Sequence, residues 1–395
     1  MKKTLIAFAA TAAAGAACAG NGVPAVGLNM FGVLDATLAY GSASGGSHRV
    51  QLTNSGFNSS RLGFRGSEDL GGGLSASFWL EMGVNPDDGT GVASSTNNQQ
   101  AAGGASAGSL TFNRASWVSL NGDWGSLRLG RDYTPTFTLM AGYDPFTVNG
   151  AGTTLAFTGF SIRRATAQGP YPASTSTSPG VAFPGGPVAT RARASNSIGY
   201  MTGDNLGGFY GWAQYYLGEN AQDGAATEDD GSGYNARFGY AAGPVDVSAA
   251  YGKTKYALLG DFRTWDVGGT WKLGNLQLNA EYVSDRAGGT TLTGGIGPAP
   301  LDGKGWMVGG SYVAGPGLVR FSYSGYKVDL GSGPVSRKAA IGYVYYLSKR
   351  TAVYTTYAHL WNRNGATSTL NGSLVGAGLA SSASNGLDFG LKHSF

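Results

Sequence analysis

The chain has 395 residues, 27 basic against 23 acidic side chains, three histidines, one cysteine and 68 glycines, with 21 Tyr, 17 Phe and 8 Trp. A mean hydropathy of −0.10 and a charged fraction of 13% describe a chain that is aromatic-rich yet poor in both charge and bulk hydrophobicity. Beyond the first residues no apolar run approaches the roughly 20 residues of a spanning helix, and one cysteine allows no internal disulfide and no thiolate cluster.

The opening residues read as a secretory leader. Met1, Lys2 and Lys3 are followed by a small apolar run from Leu5 to Ala16 and by Ala17-Cys18-Ala19 ahead of Gly20, so residues 1–19 are expected to be removed after Ala19. Cys18 raises lipid attachment as an alternative, but Gly15, Ala16 and Ala17 lack the large aliphatic residue that such a site favours. Cleavage removes the cysteine and two lysines, leaving 25 basic residues against 23 acidic ones. A formal +2 says nothing about partners and calls for no nucleic acid. Any electrostatic argument has to be local.

From residue 20 onward, apolar and polar side chains alternate with the period of a strand. Leu28, Met30, Leu34, Leu38 and Tyr40 share a phase opposed by Asp35. Leu62 and Phe64 alternate with Arg61, Gly63 and Arg65, and Leu74, Ala76, Phe78, Leu80 and Met82 oppose Ser75, Ser77, Trp79 and Glu81. The pattern returns at Leu276–Tyr282 and at Val319–Tyr323, where Arg320, Ser322 and Ser324 form the polar phase. It ends at Leu387, Phe389, Leu391, His393 and Phe395 against Asp388, Gly390, Lys392 and Ser394. One lipid-like and one water-like face suit the wall of a transmembrane β-barrel, whose strands need only about 9 to 11 residues to cross. A last strand that alternates up to an aromatic terminus looks like an outer-membrane assembly signal, with Phe395 as the residue read.

Connection lengths alternate too. Short links fall at Glu68–Gly73, Asn121–Trp124, Gly203–Leu206, Gly243-Pro244, Gly274-Asn275, Gly315-Pro316 and Ser348–Arg350, and these are expected to be periplasmic turns. Longer polar stretches at Gly41–Ser60, Val84–Gly108, Asn220–Gly231, Ala287–Gly303 and Gly365–Ser382 are expected to be external loops. The fold class implied is all-β: an antiparallel transmembrane barrel of about sixteen strands, closed so that every edge amide is paired. The connection from Tyr133 to Thr190 is too long for a plain loop, and segments of that size are functional or disordered. It is expected to fold into the lumen and narrow it.

Charge placement sharpens the reading. An arginine facing lipid at mid-membrane costs roughly 2–4 kcal/mol, which puts Arg61, Arg65 and Arg320 in the lumen. Between Arg131 and Arg193 only Asp132 and Asp144 offset Arg131, Arg163, Arg164, Arg191 and Arg193, so the narrowed region is expected to be electropositive and to favour anions. Arg163, Arg164 and Arg191 read as solvated loop charges.

The segment Arg61-Leu62-Gly63-Phe64-Arg65-Gly66-Ser67-Glu68-Asp69-Leu70-Gly71 resembles the second strand and first turn of Gram-negative general porins, especially those of β-proteobacteria. Phe112-Asn113-Arg114 with Trp117–Leu120, Leu129-Gly130-Arg131-Asp132-Tyr133-Thr134-Pro135, and Asn196-Ser197-Ile198-Gly199-Tyr200 are similar to that family on either side of its third loop. With the leader and Phe395, the resemblance spans the chain. It implies a trimer of sixteen-stranded barrels, each with its own water-filled pore constricted by the third loop. A wall of arginines would face acidic loop residues across that constriction. Matched motif to motif, the wall is Arg61, Arg65, Arg114 and Arg193, with Arg131 included only if a bulge turns it inward, and the loop carboxylates are Asp132 and Asp144.

Other chemistry is thin. His48, His359 and His393 have no metal-ligand spacing, no serine is placed beside a particular histidine, and the glycine runs lack a phosphate-loop continuation, so neither a metal, a cofactor nor an enzyme activity is expected. Tyr343, Tyr345, Tyr346, Tyr354 and Tyr357 read as an interfacial girdle. The reading is an outer-membrane porin for passive diffusion of small hydrophilic solutes, with a preference for anions. Its expected partners are outer-membrane lipid and lipopolysaccharide, the barrel-assembly machinery and two further copies of itself. The alternatives are a substrate-specific anion channel for phosphate or an organic acid and, from a different class, an outer-membrane adhesin or hydrolase.

Overall fold

The computed structural model describes residues 27–44, 48–92, 94–95, 98, 104–105, 111–158, 189–204, 206–257, 260–288, 301–329, 332–366, 368–370 and 381–395. The leader at 1–19, with Cys18, lies outside them, as do Arg163 and Arg164.

Alternating side chains, punctuated by Gly, Pro and Asn, produce seventeen long strand segments among the described residues. In chain order they are β1 (Gly27–Ala43), β2 (His48–Asn54), β3 (Arg61–Gly71), β4 (Leu74–Asn85), β5 (Ala115–Gly122), β6 (Gly125–Tyr133), β7 (Arg193–Thr202), β8 (Phe209–Tyr216) and β9 (Gly233–Ala242). They continue as β10 (Val245–Thr254), β11 (Phe262–Leu273), β12 (Leu276–Ala287), β13 (Leu301–Ala314), β14 (Gly317–Asp329), β15 (Val335–Tyr346), β16 (Thr351–Arg363) and β17 (Ala383–Ser394). A helix, α1 (Pro135–Tyr143), follows β6. Every long strand pairs antiparallel with its neighbours. β2 and β3 lie end to end along β1, with Ala36–Ser42 opposite Asn54–His48 and Gly27–Val33 opposite Ser67–Arg61, so the two occupy one position. The barrel therefore has sixteen positions. It closes where Val33 to Ala43 of β1 pair with Ser394 to Ser384 of β17.

The two faces separate as the alternation requires. Leu28, Met30, Leu34, Leu38 and Tyr40 of β1, and Leu387, Phe389 and Leu391 of β17, are exposed on the outside, while Asp35, Thr37 and Asp388 are buried toward the lumen. Outer aromatics cluster at both ends of the strands. Trp124 stacks on Tyr200 beside short turns, with centroids 6.1 Å apart, and Tyr234 and Tyr251 meet near the opposite rim at 6.0 Å. All seven expected short turns connect consecutive strands.

Two expectations require correction. Gly41–Ser60 is not a loop throughout. Val50 and Leu52 alternate with Arg49, Gln51 and Thr53, and this stretch extends the first hairpin as β2 before the chain breaks at residues 55–60. Nor do all five late tyrosines belong to a girdle. Tyr343, Tyr345 and Tyr357 face outward, but Tyr354 has the inward phase, is buried and donates to Asp35, while Tyr346 lines a lumenal cavity.

Candidate functional site

The segment after Tyr133 is built to cross the inside of the barrel. Thr134 caps α1 by accepting from the Phe137 N–H, and Pro135 occupies the first turn, where its missing N–H costs nothing. The helix is then tied to inward-facing side chains. The Thr136 N–H donates to Asn235 Oδ1 at 2.9 Å, the Tyr143 hydroxyl reaches Ser248 Oγ at 2.8 Å and Asp246 at 3.0 Å, and Asn279 Nδ2 donates to the Tyr143 carbonyl at 2.7 Å. Beyond the helix, the Ala151 N–H donates to Asp388 Oδ2 at 2.7 Å and the Leu155 N–H to Ser324 Oγ at 3.2 Å. Phe146, Ala151 and Leu155 add apolar packing against Tyr326, Val328 and Val283 of the wall. All these partners lie on the polar face of the sheet, so the segment narrows the lumen from within.

Asp144 organises the turn that follows α1. Its carboxylate accepts from the backbone N–H groups of Phe146 and Val148 at 3.0 Å and of Thr154 at 3.1 Å, and it is 1% exposed. This clamp holds Thr147 at φ 51° and Val148 at φ 53°, a left-handed conformation that β-branched residues resist. Thr147, Val148 and Asn149 thereby become one wall of a cavity in the narrowed lumen.

The facing wall is arginine. Arg61, Arg65, Arg114 and Arg193 line the same cavity. Arg65 sits over the rings of Phe31 at 5.1 Å and Trp79 at 5.2 Å, and Arg193 over Tyr133 at 4.6 Å. Glu81 is the carboxylate among them. Its Oε1 lies 2.5 Å from Arg114 Nε and 3.8 Å from Arg61 Nε, and Trp79 Nε1 donates to its other oxygen at 3.1 Å. Tyr133 completes the group, accepting from Arg114 at 2.7 Å and Arg193 at 3.3 Å. Four guanidinium groups against one carboxylate leave the cavity electropositive.

Four of the five arginines singled out in the sequence thus meet at one place. Arg131 does not line the cavity. A register shift does lie beside Arg131, but its extra residue is on β7, between Ala194 and Ser197, and the Arg131 guanidinium is held by the Asn113 carbonyl at 2.7 Å and Ser195 Oγ at 2.6 Å. The two carboxylates assigned to the loop are also elsewhere engaged. Asp132 pairs with Arg128 on its own strand at 3.0 Å, and Asp144 is consumed by loop N–H groups, so neither presents its charge to the arginines. Arg191 is not a solvated charge. It is buried against Asp285 and the Ala156 carbonyl and pins the returning end of the segment to β12. Glu81 and Tyr133 were missed. The β3–β4 register places Glu81 opposite Gly63, between the partners of Arg61 and Arg65, a neighbourhood that a hairpin assignment could have exposed.

Comparison with known proteins agrees with the barrel. The Gram-negative porin profile matches residues 4–365. The chain belongs to the Gram-negative porin family. This porin is 33% identical over 402 aligned residues to outer membrane porin protein 32 of Delftia acidovorans, covering all of both chains. Among solved structures, it resembles the anion-selective porin from Comamonas acidovorans with a TM-score of 0.75 and 30% identity, covering 93% of this chain and 99% of that one. The trimer form of OmpT from Vibrio cholerae matches at TM-score 0.58 and 14% identity, covering 94% and 100%, a likeness of fold alone. The porin is accordingly an outer-membrane channel protein.

Proposed function

We propose that the porin passes small hydrophilic solutes by diffusion down their gradients and prefers anions, with Arg61, Arg65, Arg114 and Arg193 forming the selective wall. The observation that carries this is the meeting of four arginines with the single carboxylate Glu81 opposite a loop tip that offers Thr147, Val148 and Asn149 and no charge. A partly dehydrated anion there gains attraction from several fixed guanidinium groups, while a cation meets a barrier of the same origin. No bond is made or broken, so the channel needs no cofactor and has no turnover. The similarity to an anion-selective porin supports the same preference.

The porin is further proposed to work as a homotrimer in lipopolysaccharide-containing membrane. Residues 1–19 serve as its cleaved leader, and Phe395 serves as the residue that the assembly machinery reads. Liposome swelling tests the channel reading. A neutral pentose and a singly charged organic anion of similar size should both enter, the anion faster. Equal exclusion of both would contradict it.

A further inference from the structure

A second basic cavity lies on the other side of the lumenal segment. It is lined by Arg320 of β14, Lys392 of β17 and Lys349 of the turn before β16, with Asn279 and Gln277 as neutral neighbours. Asn58, Ala141 and Thr147 line both this cavity and the arginine cavity, so the two adjoin. Lys349 belongs to the short link Ser348–Arg350, which puts this cavity toward the short-turn rim of the barrel.

Arg320 is the unusual member. It is 2% exposed, yet its Nε and Nη2 atoms have no hydrogen-bond partner among the described residues. Its guanidinium carbon instead lies over two rings, 4.6 Å from the centroid of Phe57 and 4.6 Å from that of Phe146. These ring contacts use no N–H donor, and Nε and Nη2 together are an edge with which arginine grips a planar oxyanion. Such buried donors without a partner cost free energy until an acceptor reaches them. The nearby carboxylates do not fill that role. Asp144, which also lines the cavity, is taken up by three loop N–H groups, and Asp35 accepts from the Phe57 and Asn58 N–H groups at 2.9 and 2.6 Å and from Tyr354.

We infer that this cavity is a second binding site for a small oxyanion, a carboxylate or a phosphate, with Arg320 as its anchor and Lys392 and Lys349 as cationic neighbours. It rests on the anion-preferring reading and adds to it. An anion leaving the arginine wall is handed to a site that holds oxyanions more tightly than chloride, so conductance should saturate for the one and not for the other.

Single-channel recording of the reconstituted full-length porin in KCl, with inorganic phosphate or acetate added to one face at a time, tests the site. Chloride current should fall with rising phosphate or acetate. The half-blocking concentration should rise about tenfold in both Arg320→Gln and Lys392→Gln, the scale of one lost charge-assisted hydrogen bond. Stepwise KCl conductance of each variant reports that its pore has assembled, and Lys392→Gln keeps the test open if Arg320→Gln does not fold. An anion-selective wild-type channel that neither solute blocks, or unchanged half-blocking concentrations in the variants that assemble, would overturn the site and leave the anion preference standing. A cation-selective wild-type channel would remove that preference, and the site with it.

Discussion

Glu81 shows how one side chain sets the balance of the arginine wall. With its oxygens shared among Arg114, Arg61 and Trp79, it fixes two guanidinium groups in place and offsets part of their charge. Arg114→Gln removes a cation from the edge of the path, a change on the order of 1 kcal/mol at the effective dielectric of such sites. The chloride-to-potassium permeability ratio should therefore drop about fivefold, as read from the reversal potential. Glu81→Gln should move that ratio the other way, and an unchanged ratio in both would detach selectivity from this wall. Arg61 and Arg65 were legible because charge in an alternating strand has one favourable face, whereas Arg114 and Arg193 were reached through the family resemblance. Their counter-charge was not, since it depends on which residues of β3 and β4 stand side by side.

At the scale of the element, the lumenal segment is held by a few saturated polar groups. Asp144 binds three backbone N–H groups and enforces the left-handed pair Thr147–Val148, while Arg191 and Asp388 pin the segment to the wall. Asp144→Ala strips the acceptor from three buried donors, each costing about 1–3 kcal/mol when left unmet. The expected result is a wider, noisier channel with larger conductance steps in an intact barrel, and steps of wild-type size and noise would contradict that role. Sequence reading placed the long connection inside the lumen from its length, and of that connection residues 159–188 lie outside the described residues. It misread Asp132, Asp144 and Arg191, because whether a loop charge faces water, a backbone amide or a buried partner is decided by packing that a linear pattern does not contain. Arg131 failed for a related reason. The register shift beside it inserts its extra residue on β7 rather than on the strand of Arg131, and Asn113 and Ser195 claim its guanidinium.

Across the whole molecule, the wall itself was the most readable feature, since period-two alternation and short Gly- or Pro-containing turns repeat at nearly every strand. The break between β2 and β3 was the exception, hidden in a stretch rich in Gly, Ser and Asn. Closure brings the Phe395 backbone against Gly32, with hydrogen bonds of 3.1 Å in both directions, and lays its ring over the bare Cα of that glycine. Phe395→Ser should reduce the yield of heat-resistant assembled protein severalfold while channels that do assemble keep wild-type selectivity. Normal yield with altered selectivity would reverse the role given to this residue. Electrostatic selection also predicts a salt dependence. The Debye length shrinks from about 10 Å at 0.1 M to 3 Å at 1 M, so anion preference should weaken as KCl is raised.

The most direct measurement is the zero-current potential of the reconstituted wild-type channel under a KCl gradient. A value displaced toward the chloride equilibrium potential, more strongly at low salt than at high, is the predicted result. A value at zero or displaced toward potassium would contradict the arginine wall as the selective element.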